Sequence, residues 1–251
     1  MIAIISPAKS LNFGSTAPID ISTTPCFLKE ADYLAGKLGK LNSSKLGALL
    51  DISPKLAHLN AERYASWKTA TAKQAMFAYN GDVYDGLEAV KFTMREIEFA
   101  QKHLRIISGL YGLLQPLDLI KPYRIDMGTS FATTKGENLY KYWGDKITDQ
   151  LKKDLKESGS NVLINLASQE YFAAVNTKKL KASVIIPSFK DRSNDKYAMI
   201  SFFAKRARGM MSRFIIQNEI TDPEMLVGFD SGGYNFNHEL SKGDNWVFTR
   251  G

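Results

Sequence analysis

The chain has 251 residues, 44% of them hydrophobic and 24% charged, which fits one globular domain spanning residues 1–251 with a core of ordinary size. Its single cysteine, Cys26, excludes an internal disulfide and a cysteine-rich zinc site. The surplus of 33 Lys and Arg over 26 Asp and Glu gives a net charge of +7, which attracts polyanions but equally serves solubility.

The first residues, Met1–Ser6, form a short apolar run without the basic flank of a signal peptide. No stretch approaches the roughly 18 apolar residues that a membrane-spanning helix needs. We therefore expect a cytoplasmic protein with no membrane partner.

Short apolar runs bounded by turn residues predict a series of strands along the chain. They are Ile2–Ser6, Ala75–Tyr79, Leu104–Ser108, Asn161–Leu166, Ser183–Pro187, Tyr197–Phe203 and Trp246–Thr249. Most of these runs are continuous rather than alternating, which is typical of strands that helices cover on both faces.

Apolar residues at helical spacing predict helices between these strands. They are Phe27–Leu38, Ser44–Leu50, Pro54–Trp67, Met94–Lys102, Leu139–Lys156, Ser168–Val175 and Ala204–Asn218. Polar residues at 191–196 predict a hairpin turn. The interleaving of strands and helices predicts an α/β to α+β fold, a single compact domain with a mixed sheet flanked by helices.

Polar residues follow the first two predicted strands, where α/β proteins commonly place a site. Lys9, in the run Ser6–Leu11, suits a phosphate or carboxylate contact, or else is a solvated loop lysine. Asp82 follows the tight turn at Asn80-Gly81 and is a candidate catalytic acid or a helix cap. The glycines of a P-loop are missing, so triphosphatase chemistry is not indicated, and no cofactor is expected.

The stretch Leu104–Pro116 runs from a strand into paired glycines, Gly109 and Gly112, which allow close backbone approach. Ser108 and Tyr111 are further catalytic candidates in this stretch. Ser108 lacks the G-x-S-x-G setting of a hydrolase nucleophile, so a Ser-His-Asp triad has no support in the sequence.

Lys121-Pro122-Tyr123-Arg124 places two cations around an aromatic ring. The grouping suits contacts with phosphates and bases. The alternative is an exposed loop in which Tyr123 packs inward.

The densest positive charge lies in Ala204–Arg213, which contains four cations and no acid. At 100° per residue, Ala204, Ala207 and Met211 share one helix face, and the cations fan out on the other. The cations are Lys205, Arg206, Arg208 and Arg213. Such a helix presents either a solvated charged face or a surface for a polyanion.

Residues Leu46–Ala57 predict two helices joined by a short turn, with Ser53 as the N-cap and Pro54 at the first helical position. The pattern is similar to a helix-hairpin-helix, whose hairpin amides and second helix hold a DNA phosphate. Ile52-Ser53-Pro54 replaces the usual glycines. Pro54 also removes an amide donor, for which the cation of Lys55 could compensate.

A series of short motifs occurs in order along nearly the whole chain. They are Ile5–Lys9, Gly81–Tyr84, Ser108–Gly112, Gln115–Asp118, Pro122–Arg124, Leu139-Tyr140, Trp143–Asp145, Asn165–Ser168, Ala207–Gly209 and Met211–Phe214. In identity and spacing they resemble the YaaA family of peroxide stress resistance proteins. The resemblance implies a compact mixed α/β fold with a basic cleft and a helix-hairpin-helix-like element tied to DNA binding. It also implies protection against hydrogen peroxide, linked to limiting free intracellular iron and so damage to DNA.

Two hypotheses about function remain open from the sequence. In the first, the chain is a DNA-binding protein of the peroxide stress response that holds double-stranded or distorted DNA. The contact residues are then Lys9, Ser53, Lys55, Lys121, Arg124, Lys205, Arg206, Arg208 and Arg213. In the second, it is an enzyme acting on a nucleobase, nucleotide or DNA lesion, with Lys9 as nucleophile and Asp82 as acid or base. Three dispersed histidines and one cysteine show no ligand spacing, so no metal site is expected.

Overall fold

The computed structural model describes residues 1–193 and 196–251. Its strands are β1 (Ile2–Ile5), β2 (Ser10–Leu11), β3 (Lys73–Gln74), β4 (Tyr79–Asn80), β5 (Leu104–Ser108), β6 (Gly112–Leu114), β7 (Leu119–Ile120), β8 (Val162–Leu166), β9 (Ser183–Ser193), β10 (Lys196–Ala198), β11 (Asn235–Phe236) and β12 (Asn245–Arg250). Its α-helices are α1 (Leu28–Leu38), α2 (Ser43–Leu50), α3 (Pro54–Ala65), α4 (Ala75–Ala78), α5 (Asp82–Leu87), α6 (Met94–His103), α7 (Leu139–Trp143), α8 (Lys146–Glu157), α9 (Gln169–Phe172), α10 (Thr177–Leu180) and α11 (Ser201–Gln217). Short 3-10 helices cover Ala89–Lys91, Pro223–Gly228 and Ser231–Gly233. None of the helices described here is long and apolar enough to cross a membrane.

Eight of the described strands form one mixed sheet, in the order β11-β12-β9-β8-β1-β5-β6, with β10 paired to β9. The central strands β5, β1, β8, β9 and β12 are parallel to their neighbours in that run. The outer strands β6, β10 and β11 are antiparallel to theirs. The mixed sheet flanked by helices confirms the predicted fold class.

The central strands β1 and β5 are buried along their whole length. The continuous apolar sequence of β1 predicts this, whereas β5 also buries Arg105, which pairs with Asp154. In the sheet, β5 lies on one side of β1 and β8 lies on the other. The chain runs from β1 to β5 first and reaches β8 later. The connections that leave β1 and β8 therefore lead away in opposite directions. The crevice between the carboxyl ends of two such strands is the usual ligand position in open α/β sheets.

The predicted strand Leu104–Ser108 is confirmed residue for residue as β5. The predicted strand Ala75–Tyr79 is wrong, because Ala75–Ala78 form the buried helix α4 and only Tyr79–Asn80 are extended, as β4. A short apolar run that is buried on every side carries no periodicity that separates strand from helix.

The predicted strand Tyr197–Phe203 is wrong beyond Ala198, because α11 already begins at Ser201. The predicted helix Leu139–Lys156 is two helices, α7 and α8, separated at Gly144, whose φ of 48° lies in the left-handed region. The turn predicted at 191–196 includes residues 194 and 195, which lie outside the described residues.

The helices α2 and α3 form the predicted helical hairpin, and Gly47 of α2 lies against Ala57 of α3. Asp51 ends α2 in the left-handed conformation with a φ of 50°. Ser53 caps α3, since its Oγ accepts a hydrogen bond from the Leu56 N–H at 3.5 Å. The hairpin and its N-cap are confirmed, whereas its identity as a DNA-holding helix-hairpin-helix stays a prediction.

Candidate functional site

A cavity of about 420 Å³ opens at the carboxyl edge of the sheet, over the crevice between β1 and β8. We call it the switch-point cavity. The loops after β1 and β8, the start of α5 and one face of α11 contribute to its walls. The lining residues are Ser6–Ser10, Asn80–Val83, Asp126, Ser168, Glu170, Tyr171, Lys205 and Arg208.

Ser6 ties together the chain segments that form this cavity. Its hydroxyl accepts a hydrogen bond from the Ser168 N–H at 2.8 Å, and its carbonyl accepts one from the Tyr84 hydroxyl at 3.2 Å. The antiparallel pairing of β2 with β4 sets Ser10 opposite Asn80. The loop after β1 is thereby attached to both β8 and α5.

Lys9 lies in the wall of the cavity and forms an ion pair with Asp126, with Nζ 3.2 Å from Oδ2. The Tyr171 hydroxyl donates to the other carboxylate oxygen, Oδ1, also at 3.2 Å. Burial raises the pKa of Tyr171 far above its usual value, so the phenol stays protonated and can donate. The Lys9 side chain is 64% exposed against 25% for Asp126, which leaves its ammonium accessible to a ligand.

Asp82 is the first residue of α5, and its Oδ2 lies 4.0 Å from the Lys205 Nζ of α11. Gly81 forms the turn before Asp82 with a φ of 153°, a value that residues with a side chain rarely adopt. Lys9 and Asp82, predicted from separate parts of the sequence, thus line one cavity, and each has a partner of opposite charge.

Helix α11 crosses α5 with the two backbones in direct contact. A Cβ added at Gly209 would overlap the Val83 carbonyl oxygen, and one added at Gly86 would overlap the Arg206 carbonyl oxygen. Only glycine fits at these two crossing positions. The contact sets the cationic face of α11 at the rim of the switch-point cavity.

The predicted cations of α11 have different surroundings. Lys205 and Arg208 line the cavity, and Arg206 is exposed at the next position along the helix. Burial lowers the pKa of the half-buried Arg208 guanidinium, and no carboxylate in the described part of the chain pairs with it. Arg213 instead pairs with Glu88 and lies outside the lining.

Positive and negative side chains balance within the cavity, with three of each sign. They are Lys9, Lys205 and Arg208 against Asp82, Asp126 and Glu170. The cavity therefore offers hydrogen-bond donors and acceptors together. Such a lining suits a ligand whose edges carry both donors and acceptors.

A second, wider cavity of about 700 Å³ adjoins the first, and Lys9, Asp126 and Glu170 line both. The end of α2, Ala48–Asp51, and the side chain of Arg124 also line it. The Arg124 Nε is buried and has no hydrogen-bond partner among the residues described. A buried donor without an acceptor leaves a place for an external acceptor such as an oxyanion.

A family model described as peroxide stress protein YaaA matches residues 1–240 of the chain. The chain belongs to this family. UPF0246 proteins of Neisseria meningitidis, Cellvibrio japonicus and Colwellia psychrerythraea are 51%, 49% and 48% identical to it. Each alignment covers 100% of this chain, and 98%, 98% and 99% of the respective relative. The resemblance inferred from the motifs is confirmed.

In this YaaA-family chain the other two predicted catalytic residues lie in the core. The Ser108 Oγ is 2.7 Å from the Tyr123 hydroxyl and accepts a hydrogen bond from the Tyr111 N–H at 3.1 Å. The Tyr111 hydroxyl accepts from the Lys121 N–H at 2.9 Å, and burial raises its pKa. Ser108 and Tyr111 hold the turn after β5 and line neither cavity.

Five of the predicted DNA contacts lie outside the two linings: Arg206 and Arg213 of α11, described above, and Ser53, Lys55 and Lys121. The Lys121 Nζ donates to the Trp67 carbonyl at 2.6 Å and lies 5.4 Å from the centre of the Trp67 ring. Ser53 caps α3 and Lys55 is exposed in its first turn, just beyond Asp51 at the border of the wider cavity.

The site prediction from the sequence omits Asp126, Glu170 and Tyr171. Asp126 comes two residues after the predicted Arg124, and nothing local marks it. Glu170 and Tyr171 lie in α9, the short helix that follows the loop after β8. Because the carboxyl ends of parallel strands share one edge of a sheet, these two could be placed in the site from the sequence alone.

Proposed function

We propose that this chain serves the peroxide stress response by binding DNA, double-stranded or distorted, and so protecting it. The assignment to peroxide stress follows the family to which the chain belongs. The DNA contact is supported by the cationic face of α11, a helix with no acid, at the rim of the switch-point cavity. Its cations there are Lys205, Arg206 and Arg208.

Binding through this face should depend on salt and little on base sequence. Cations that neutralise phosphates release condensed counterions, and phosphate contacts carry no sequence information. Lys9 and the unsatisfied Nε of Arg124 supply further donors along the two adjoining cavities. We propose that Ser53 and Lys55 contact the DNA backbone where it passes the end of α2. Lys121 is a peripheral contact in this proposal, because its Nζ already donates to a carbonyl.

Fluorescence anisotropy with intact, bulged and abasic duplexes across a salt series tests this proposal. The variant Lys205→Ala/Arg206→Ala/Arg208→Ala should bind roughly 10-fold or more weakly than wild type, with a salt slope smaller by about 3. The variant Lys152→Ala/Lys153→Ala/Lys156→Ala removes the same charge from exposed positions of α8 and should bind like wild type. Equal losses in both variants would show that only net charge matters. Absence of binding by wild type at low salt would reject DNA as the partner.

A second candidate function is catalysis on a nucleobase, nucleotide or DNA lesion. The observation that favours it is that Lys9 and Asp82 line the same cavity of about 420 Å³, the size of a small-molecule site. Lys9 would act as a Schiff-base nucleophile after losing its proton, and Asp82 as the acid or base. Borohydride trapping on an abasic duplex should then give a covalent adduct with wild type and none with Lys9→Gln. An adduct of equal yield in both proteins would remove Lys9 from this role.

We propose that any effect on free intracellular iron is indirect. No group of three or more His, Cys, Asp and Glu side chains within residues 1–193 and 196–251 is arranged to hold a metal ion. Electron paramagnetic resonance of whole cells, with and without the chain, would measure free iron. Purified chain that retains stoichiometric iron through dialysis against a chelator would contradict an indirect effect.

A further inference from the structure

Residues 197–203 run from the end of β10 into the first turn of α11 and expose an unusual concentration of large apolar side chains; we call them the aromatic segment. Tyr197, Phe202 and Phe203 are 38%, 53% and 39% exposed, and they are the exposed aromatic residues of the described chain. Met199 and Ile200, between them, are 52% and 37% exposed. Apolar surface gathered in one place marks an interaction site more often than scattered apolar residues do.

The aromatic segment adjoins the cationic face of α11. Phe202 precedes Lys205 by three residues and Arg206 by four, so the three side chains are neighbours on one face of the helix. Lys205 also lines the switch-point cavity. The exposed phenyl ring of Phe202 therefore lies one helical turn from cations at the rim of that cavity.

Contacts within the chain hold the neighbouring rings in place. The Arg250 guanidinium lies over the Phe203 ring, 4.7 Å from its centre. The Phe202 and Phe203 rings meet edge to face with centroids 5.6 Å apart. The Tyr197 hydroxyl donates to the Gly251 carbonyl at 3.2 Å. Rings fixed in this way present a surface at little further loss of side-chain entropy.

We infer that the aromatic segment is a stacking platform for unpaired nucleotides of a nucleic acid strand, centred on Phe202. Surfaces that hold single strands combine aromatic rings, on which bases stack, with cations that follow the phosphates. Residues 196–213 contain Lys196 and the four cations of α11 and no acid, so their charge complements phosphate. The same charge would repel a second copy of this face. The inference rests on the proposed DNA binding and names single-stranded or locally unpaired DNA as the partner.

The test compares anisotropy of a labelled single strand with that of the same strand annealed to its complement. Phe202→Ala should weaken binding of the single strand about 10-fold and binding of the duplex less than about 2-fold. Phe202→Trp should retain single-strand affinity and add tryptophan fluorescence that the strand quenches. Met225→Ala removes a side chain of similar exposure, 56%, on the 3-10 helix Pro223–Gly228, and should change neither affinity.

Unchanged single-strand binding by Phe202→Ala would overturn the inference while leaving duplex binding, and with it the proposed function, intact. If wild type binds neither DNA form, both proposals are rejected.

Two further measurements address other occupants of this face. A wild-type dimer that Phe202→Ala converts to a monomer in sedimentation would make the face an interface between copies. Flotation with anionic vesicles that Phe202→Ala abolishes would make it a membrane surface, and either result overturns the inference.

Discussion

The Tyr171 hydroxyl donates to one oxygen of the Asp126 carboxylate while Lys9 pairs with the other. A residue just beyond β8 thus fixes the partner of a lysine just beyond β1. The Asp126 carboxylate is held between a neutral donor and a cation, which keeps the Lys9 ammonium at the wall of the cavity.

Tyr171→Phe should lower the free energy of unfolding by about 1.5 kcal/mol, because it removes a half-buried hydrogen bond to a charged acceptor. The matched control is Tyr140→Phe, whose hydroxyl donates to the neutral carbonyl of Glu170 at 2.9 Å. The control should lose only about 0.5 kcal/mol. Urea unfolding of the three proteins measures both differences. Equal losses would show that the charge of Asp126 adds nothing to the bond.

Gly209→Ala should destabilise the fold by roughly 3 kcal/mol, because the added methyl group meets the backbone of α5, which cannot move aside. Gly36→Ala, in the exposed part of α1, meets no atom within 4 Å. It should raise stability by about 0.5–1 kcal/mol through the better helix propensity of alanine. Thermal unfolding followed by circular dichroism compares the two. A mild effect of Gly209→Ala would mean that α11 and α5 can separate without loss.

Cys26 should react slowly with hydrogen peroxide at neutral pH. Although the residue as a whole is exposed, its Sγ donates to the Leu113 carbonyl at 3.5 Å and lines a narrow pocket with Asp118. Burial, helped by the Asp118 carboxylate, raises the pKa of the thiol to about 12. An acid with a raised pKa stays protonated at pH 7, and the thiol is a poor nucleophile.

Alkylation of Cys26 by iodoacetamide at increasing pH measures this directly. The rate should rise about tenfold per pH unit without a plateau below pH 10, since the thiolate fraction keeps growing. Cys26→Ser provides the blank. A plateau near pH 7 would identify a reactive thiol and revive a redox role for the residue.

His103 should make stability depend on pH in the acid range. Its Nδ1 lies 2.8 Å from the Met1 carbonyl oxygen, its ring stacks on Phe99, and burial lowers its pKa from 6.5. The unfolded chain then binds more protons than the folded chain between the lowered pKa and 6.5. Stability therefore rises with pH through that window and is level above it.

The free energy of unfolding of wild type and of His103→Gln, measured at several pH values between about 4 and 8, checks the sign of this effect. This range brackets the ordinary pKa of histidine. The stability difference between the two proteins should change with pH only below about 6.5. A difference that is constant over the whole range would exclude His103 as the source.

Local sequence patterns were sufficient for part of the fold and site. β5 is predictable because Leu104, Ile106 and Ile107 form an apolar run between a helix end and a glycine. Ala75–Ala78 is also a short buried apolar run yet is helical, and a run of this length has no period that distinguishes helix from strand. Asp82 reaches the switch-point cavity although the strand predicted before it is wrong, because β4 pairs with β2 beside Lys9.

Other features depend on contacts that no local pattern contains. Asp126 meets Tyr171 across 45 residues of sequence. Gly86 and Gly209 are isolated glycines in their helices until the crossing of α5 and α11 brings each against a carbonyl oxygen. Ser108 is the last residue of the central strand β5, but it does not line the cavity. Its hydroxyl is buried in the core against the Tyr123 hydroxyl.

The glycine contact between α5 and α11 also has a mechanical meaning. Flexible side chains between two helices would absorb a small displacement, but here one backbone rests on the other. A displacement of α11 at Lys205 or Arg206 would therefore have to displace α5, and Asp82 at its start, in the same direction.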